Sequence, residues 1–162
     1  MALALPACSG KEGKREYSLP RSLCSVDIKA ALLDPFMPDG EKITYRLEKP
    51  SGGTERCEIL VDGKTALRAS QVWWGEQGDV TDVASVHAHV ESPPVEMDDK
   101  YLSSGTGAVG EVDACGDPAH PQQDFFTVIQ VFAPDHSDAP AMKKLIGDYT
   151  SALENSKRCS GR

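Results

Sequence analysis

The sequence has a single Asn (Asn155), no C-x-x-C pair and no apolar run approaching eighteen residues. Each absence excludes something. No stretch is long and apolar enough to cross a bilayer as one helix. Without paired thiols, and with no histidine at zinc-finger spacing from a cysteine, a zinc site is not expected. Scarce Asn beside plentiful Ala, Gly, Asp and Val reflects a GC-rich coding bias rather than a physical demand. Positive charge is also short. The 17 Lys and Arg stand against 25 Asp and Glu, a net charge of −8. Duplex nucleic-acid binding depends on cations that neutralise phosphates, so nucleic acid is not an expected partner.

What is present suits one soluble globular domain. The chain is 162 residues long, 40 % hydrophobic and 26 % charged. That length buries a sizeable core, and the Val, Leu, Ile and Phe content argues against wholesale disorder.

Five cysteines are spread over the chain: Cys8, Cys24, Cys57, Cys115 and Cys159. The last four suit two disulfides in an oxidising compartment; free buried thiols in a cytosolic protein are the alternative. Four cysteines allow three pairings, and sequence does not select among them. Cys24–Cys57 and Cys115–Cys159 are favoured because each would tie a helix to a nearby strand.

Cys8 is left over, in Leu5-Pro6-Ala7-Cys8-Ser9-Gly10. An apolar segment ending in a small residue before Cys has the form of a bacterial lipobox. Two acyl chains on that cysteine give stable anchoring where one is marginal. Residues 1–8 are therefore expected to be the remnant of a lipoprotein signal segment, although Met1–Ala7 is short and lacks a basic residue. Residues 9–21 are polar and aperiodic and read as a flexible tether. Residues 22–159 read as one α+β domain.

Within that domain, Cys24, Ile28, Ala31 and Leu32 fall on one face of a short helix, stopped by Asp34-Pro35. Ile43, Tyr45 and Leu47 alternate with polar residues and predict a half-buried strand. A second strand carries Cys57, Ile59 and Val61. Asp62-Gly63 signals a hairpin into a long strand ending at Trp74. Asp79 is a candidate N-cap for a helix presenting Val80, Val83, Ala84, His87 and Val90. Tyr101–Cys115 holds weak strand signals broken by glycines. Phe125–Phe132 is apolar on both pleat faces and predicts a central covered strand. A last helix runs from about Asp138 to Lys157, with Met142, Leu145, Ile146, Tyr149 and Leu153 facing the core. This order predicts an α+β fold: a largely antiparallel sheet of five to six strands with helices packed on both faces.

Leu5-Pro6-Ala7-Cys8, Leu23-Cys24, Cys57, Ala69-Ser70-Gln71-Val72-Trp73-Trp74, Ala114-Cys115-Gly116 and the closing Tyr149-Thr150-Ser151-Ala152 to Cys159 occur in order. In that ordered set the chain resembles the small secreted lipoproteins of actinobacteria, some thought to adopt a PsbP-like α/β/α sandwich. The resemblance implies an envelope location and no established catalytic residues.

Several motifs bear on chemistry. Gly105–Gly110 matches G-x-G-x-x-G, but Glu111–Pro118 cannot form the helix a dinucleotide site requires. A glycine-rich strand close under a helix is the better reading, and no cofactor is implied. Trp73 and Trp74 must point to opposite sheet faces, and one of them, Trp74 before Trp73, is the candidate lining of a ligand cleft. His87 and His89 converge only on a strand, and His120 and His136 fall in loops. The acids contain no calcium-loop pattern, so no metal is expected. No G-x-S-x-G elbow occurs. The expected function is a non-catalytic, membrane-anchored extracytoplasmic domain binding an envelope ligand or protein partner. The alternative is a small secreted hydrolase with His87 or His136 as base.

Overall fold

The computed structural model describes residues 13–88 and 95–160. Cys8 and His89 lie outside these residues. A two-residue strand β1 (Ser22–Leu23) pairs with β2 (Val26–Asp27), and two 3-10 turns follow at Ala30–Leu32 and Asp34–Phe36. Then come β3 (Ile43–Ser51), β4 (Thr54–Val61), β5 (Lys64–Trp74), α1 (Val80–His87), β6 (Glu96–Met97), β7 (Tyr101–Ser103), β8 (Gly107–Val112), β9 (Asp124–Val131), α2 (Ala139–Glu154) and α3 (Lys157–Ser160). The main sheet has the order β3-β4-β5-β9-β8-β7-β6 and every neighbouring pair is antiparallel.

Local chemistry explains most of these elements. Asp62 and Gly63 have φ of 50° and 80°, the left-handed pair that matches hairpin twist, and they join β4 to β5. The Asp62 carboxylate accepts from the amides of Glu41 and Lys42. Asp79 caps α1 by accepting from Thr81 and Asp82, while Asp82 accepts from the Asp79 amide in return. Asp138 caps α2 through the Ala141 amide. Phe125–Val131 takes the middle position of the seven strands, as its two apolar faces require.

The larger core lies on one face of the sheet. Leu67, Ala69, Ile129 and Phe125 there meet Met142, Leu145, Ile146, Tyr149 and Leu153 of α2, together with Leu23, Leu33, Phe36 and Met37 from the first hairpin and turns. A smaller cluster gathers Val72, Val109, Phe126 and Val128 under Val80, Val83 and Ala84.

The expected sandwich of five to six strands between helical layers is not found. Among the described residues the molecule is mostly sheet: seven strands in one sheet and two in another, with a single long helix. Two physical reasons account for the difference. The apolar spacing from Cys24 to Leu32 arises from a hairpin and 3-10 turns, because Cys24 and Ser25 sit at φ of 47° and 64° and turn the chain back. Beyond α1, the face opposite α2 is covered by an ion-pair ladder instead of helix. Glu58, 3 % exposed, accepts from Arg68 Nη2 at 2.6 Å and lies 3.4 Å from Arg46. The Arg68 guanidinium in turn covers Phe132.

Residues 13–21, expected as tether, lie against the body. Arg15 pairs with Gly40, and its guanidinium reaches the Asp34 carboxylate and the Met37 carbonyl. The Tyr17 hydroxyl donates to the Pro38 carbonyl.

Candidate functional site

Both favoured disulfides are present. Cys24–Cys57 joins the first hairpin to β4 across a Cα separation of 5.4 Å, and Cys115–Cys159 joins the segment after β8 to α3 across 4.5 Å. Neither bridge ties a helix to a strand as expected: Cys24 sits in a hairpin turn and not in a helix, and Cys115 lies beyond the end of β8 and not in a strand. The two bridges indicate an oxidising, extracytoplasmic environment.

The tryptophans point to opposite faces, as strand geometry dictates. Trp73, 7 % exposed, is the wall of a cleft of about 420 Å³ lined also by Lys49, Glu55, Asp117, His120 and Arg158. Its amide donates to the Gly53 carbonyl at 2.7 Å, which fixes the β3–β4 turn against this end of β5. His120 is delivered by a tight turn in which its amide donates to the Asp117 carbonyl, and the Asp117 carboxylate accepts from Ala119. The His120 ring stacks on Trp73 with centroids 4.9 Å apart, and Trp73 stacks on its cross-strand partner Phe125 at 4.1 Å. Arg158, next to the bridged Cys159, places its guanidinium 5.0 Å over Phe125. It also donates to Gln71.

This column decides what the cleft can do. The indole stacks against both rings and Trp73 is only 7 % exposed, so it offers little free ring surface to a ligand. The rim offers polar groups. Glu55 stands between Lys49 at 3.7 Å and Arg158 at 3.6 Å. His120 Nδ1 pairs with Gln123 Oε1, which leaves its other ring nitrogen for a ligand. The Trp73 indole N–H is buried without a hydrogen-bond partner among the described residues. Leaving such a donor unpaired costs about 1–3 kcal/mol. The arrangement suits a ligand that brings both donors and acceptors.

Trp74 is half-buried on the other face, its ring meeting the edge of His87 at 5.8 Å. Gly78 makes room for that indole, since a side chain there would collide with it. Burial, and then the charge of Arg56, lower the pKa of His87. His136 Nδ1 bonds the Pro35 carbonyl at 2.9 Å. None of the three described histidines is hydrogen-bonded to a carboxylate or a hydroxyl, the partners a hydrolytic base requires. Glu111 is the acid with a raised pKa, through burial first and then Asp124 and Asp113. Among the described residues no group of three or more His, Cys, Asp or Glu could hold a metal ion. The glycine motif runs from the turn at Gly105 into β8 under α2, and Asp98 closes a turn by accepting from the Lys100 and Tyr101 amides.

A second concavity escaped the reading of the sequence. Leu23, Cys24, Tyr45, Leu47, Cys57 and Ile59 line a groove of about 440 Å³ along β3. Its only signal was the row of large side chains at Ile43, Tyr45 and Leu47, which the structure leaves without a helix above it. Comparison of the chain with family models, curated proteins and solved structures finds no match.

Proposed function

We propose that the chain is a non-catalytic extracytoplasmic binding domain, anchored to membrane lipid through Cys8. On this reading it presents the cleft at Trp73 and His120 to an envelope ligand or protein partner. The observation that carries the reading is the use of cysteine. Four are committed to bridges that tie the first hairpin to β4 and the last helix to the segment after β8. The fifth, Cys8, follows Leu5-Pro6-Ala7 in lipobox form. The resemblance to small secreted actinobacterial lipoproteins points the same way. The histidine environments support binding over hydrolysis, since their partners are a glutamine amide, a backbone carbonyl and an indole edge.

Intact-mass analysis of the chain from native membranes tests the anchor. The expected species begins at a diacylglyceryl-modified Cys8 and lacks the four hydrogens that two disulfides remove. Cys8→Ser should move the protein out of the detergent phase. An unmodified chain beginning at Met1 with free thiols would overturn the proposal. For the binding surface, a photo-crosslinker at Lys49 on the exposed rim should give a discrete adduct in native envelopes. Failure to form one removes that part of the reading.

A further inference from the structure

The main sheet has two edges, and they differ. The β6 edge is two residues long and begins with Glu96. The β3 edge is nine residues long. The Asp62 amide donates to the Lys42 carbonyl at 2.8 Å, and the register runs on from there with Ile43 opposite Val61 and Glu48 opposite Arg56. In an antiparallel pair the bonding direction alternates along the strand. Even-numbered residues of β3 therefore turn their peptide groups to β4. Ile43, Tyr45 and Leu47 turn theirs outward, and among the described residues no strand meets them. On one face of this edge Tyr45 and Leu47 are 60 % and 59 % exposed. On the other, Arg46 and Glu48 pair loosely within the strand at 3.6 Å, with side chains still 52 % and 38 % exposed. A long edge with unpaired peptide groups and exposed apolar side chains is a template for another strand.

The charge order identifies which strand fits. If two copies of β3 run antiparallel about a two-fold axis at Leu47, Leu47 faces Leu47 and Tyr45 faces Lys49. Arg46 of each copy then faces Glu48 of the other, on both sides of the axis. Moving the axis to Tyr45 sets Glu48 opposite Lys42 instead and leaves each Arg46 opposite the uncharged Thr44. Opposite charges across a pair stabilise, and the register on Leu47 is favoured because it gives both Arg46 and Glu48 an opposing partner. Leu47 has its peptide groups directed outward, as a hydrogen-bonded pair on the axis requires.

We propose that β3 is the self-complementary interface of a homodimer, which joins two copies into one continuous antiparallel sheet. The contact is isologous, and it closes. It also covers the open side of the groove beside Leu23 and Ile59. The interface is small, so the dimer is concentration-dependent. The proposal does not depend on Cys8 or on the cleft at Trp73.

Sedimentation velocity on the disulfide-intact chain tests it. The weight-average mass should rise from one chain toward two between micromolar and near-millimolar concentration. Arg46→Glu alone and Glu48→Arg alone each set like charges face to face and should weaken association by at least about tenfold. Mixed in equal amounts, the two variants present opposite charges to each other and should associate again, which also shows that both are folded. Leu47→Lys, at an exposed position outside the ion pairs, should likewise leave a monomer with unchanged near-ultraviolet circular dichroism. An unsubstituted chain that stays monomeric at every concentration, or a dimer indifferent to all three variants, overturns the proposal. A monomer whose β3 instead takes up extended peptides overturns it too, because the occupant is then not a second copy.

Discussion

His87 shows how competing effects resolve at one side chain. Its position in the last turn of α1 favours the imidazolium through the helix dipole. Burial against Trp74 opposes it, Arg56 opposes it further, and the folded pKa is lowered. A base with a depressed folded pKa binds fewer protons folded than unfolded once the pH drops below its unfolded value of about 6.5. Stability is therefore intact above that pH and declines as the solution is acidified. The melting temperature should fall from about pH 7 to about pH 5, and the fall should shrink in His87→Phe, which keeps a ring against Trp74. Calorimetry across that range checks it, and identical acid limbs in both proteins would refute it. Legibility at this scale was uneven. Asp79 could be read as a cap because it precedes a periodic apolar run. The pairing of His120 with Trp73 could not, because it depends on a turn at Asp117 that folds the segment before β9 back over β5.

Gly110 explains how an element with weak strand propensity comes to lie inside the sheet. It sits in β8, and a side-chain carbon there would run into the hydroxyls of Thr127 and Thr150, which hydrogen-bond to each other at 2.6 Å. The missing side chain lets α2 approach the sheet closely enough to form that buried bond. Gly110→Ala should destabilise by about 1–3 kcal/mol through overpacking. Gly116→Ala, with nothing nearby, should be close to neutral. Urea denaturation midpoints of the two variants test the contrast, and equal midpoints would remove the packing argument. The same glycines were readable as a strand beneath a helix, because Glu111–Pro118 cannot continue as helix. The first hairpin was not readable. Its apolar spacing mimics a helix, and only the left-handed backbone at Cys24 and Ser25 reveals the turn. The uncovered groove was missed for a related reason, since alternation shows which face of β3 is apolar and does not show that α2 stops short of it.

In the molecule as a whole, the two bridges converge on one buried side chain. Gln71, 1 % exposed on β5, donates to the Cys24 carbonyl at 3.3 Å and to the Tyr149 hydroxyl at 3.1 Å. Its carbonyl accepts from Arg158, the neighbour of Cys159. The first hairpin and the last helix thus share an amide as well as each being cross-linked to the rest of the chain. The bridges close sequence separations of 33 and 44. Chain entropy gives about 4 kcal/mol for each. Independent bridges would lose that stability additively. Here removal of one pair loosens a segment that bonds Gln71, which weakens the same amide's hold on the other segment. Cys24→Ala with Cys57→Ala, and Cys115→Ala with Cys159→Ala, should therefore cost less in combination than the sum of their separate costs, with a coupling of at least about 0.5 kcal/mol. Repeating the cycle in a Gln71→Leu background should abolish the coupling while leaving most of each single loss. Guanidinium titrations of the eight proteins measure both quantities. Coupling that survives the loss of the amide would show that the two ends communicate through the apolar core around Tyr149 instead.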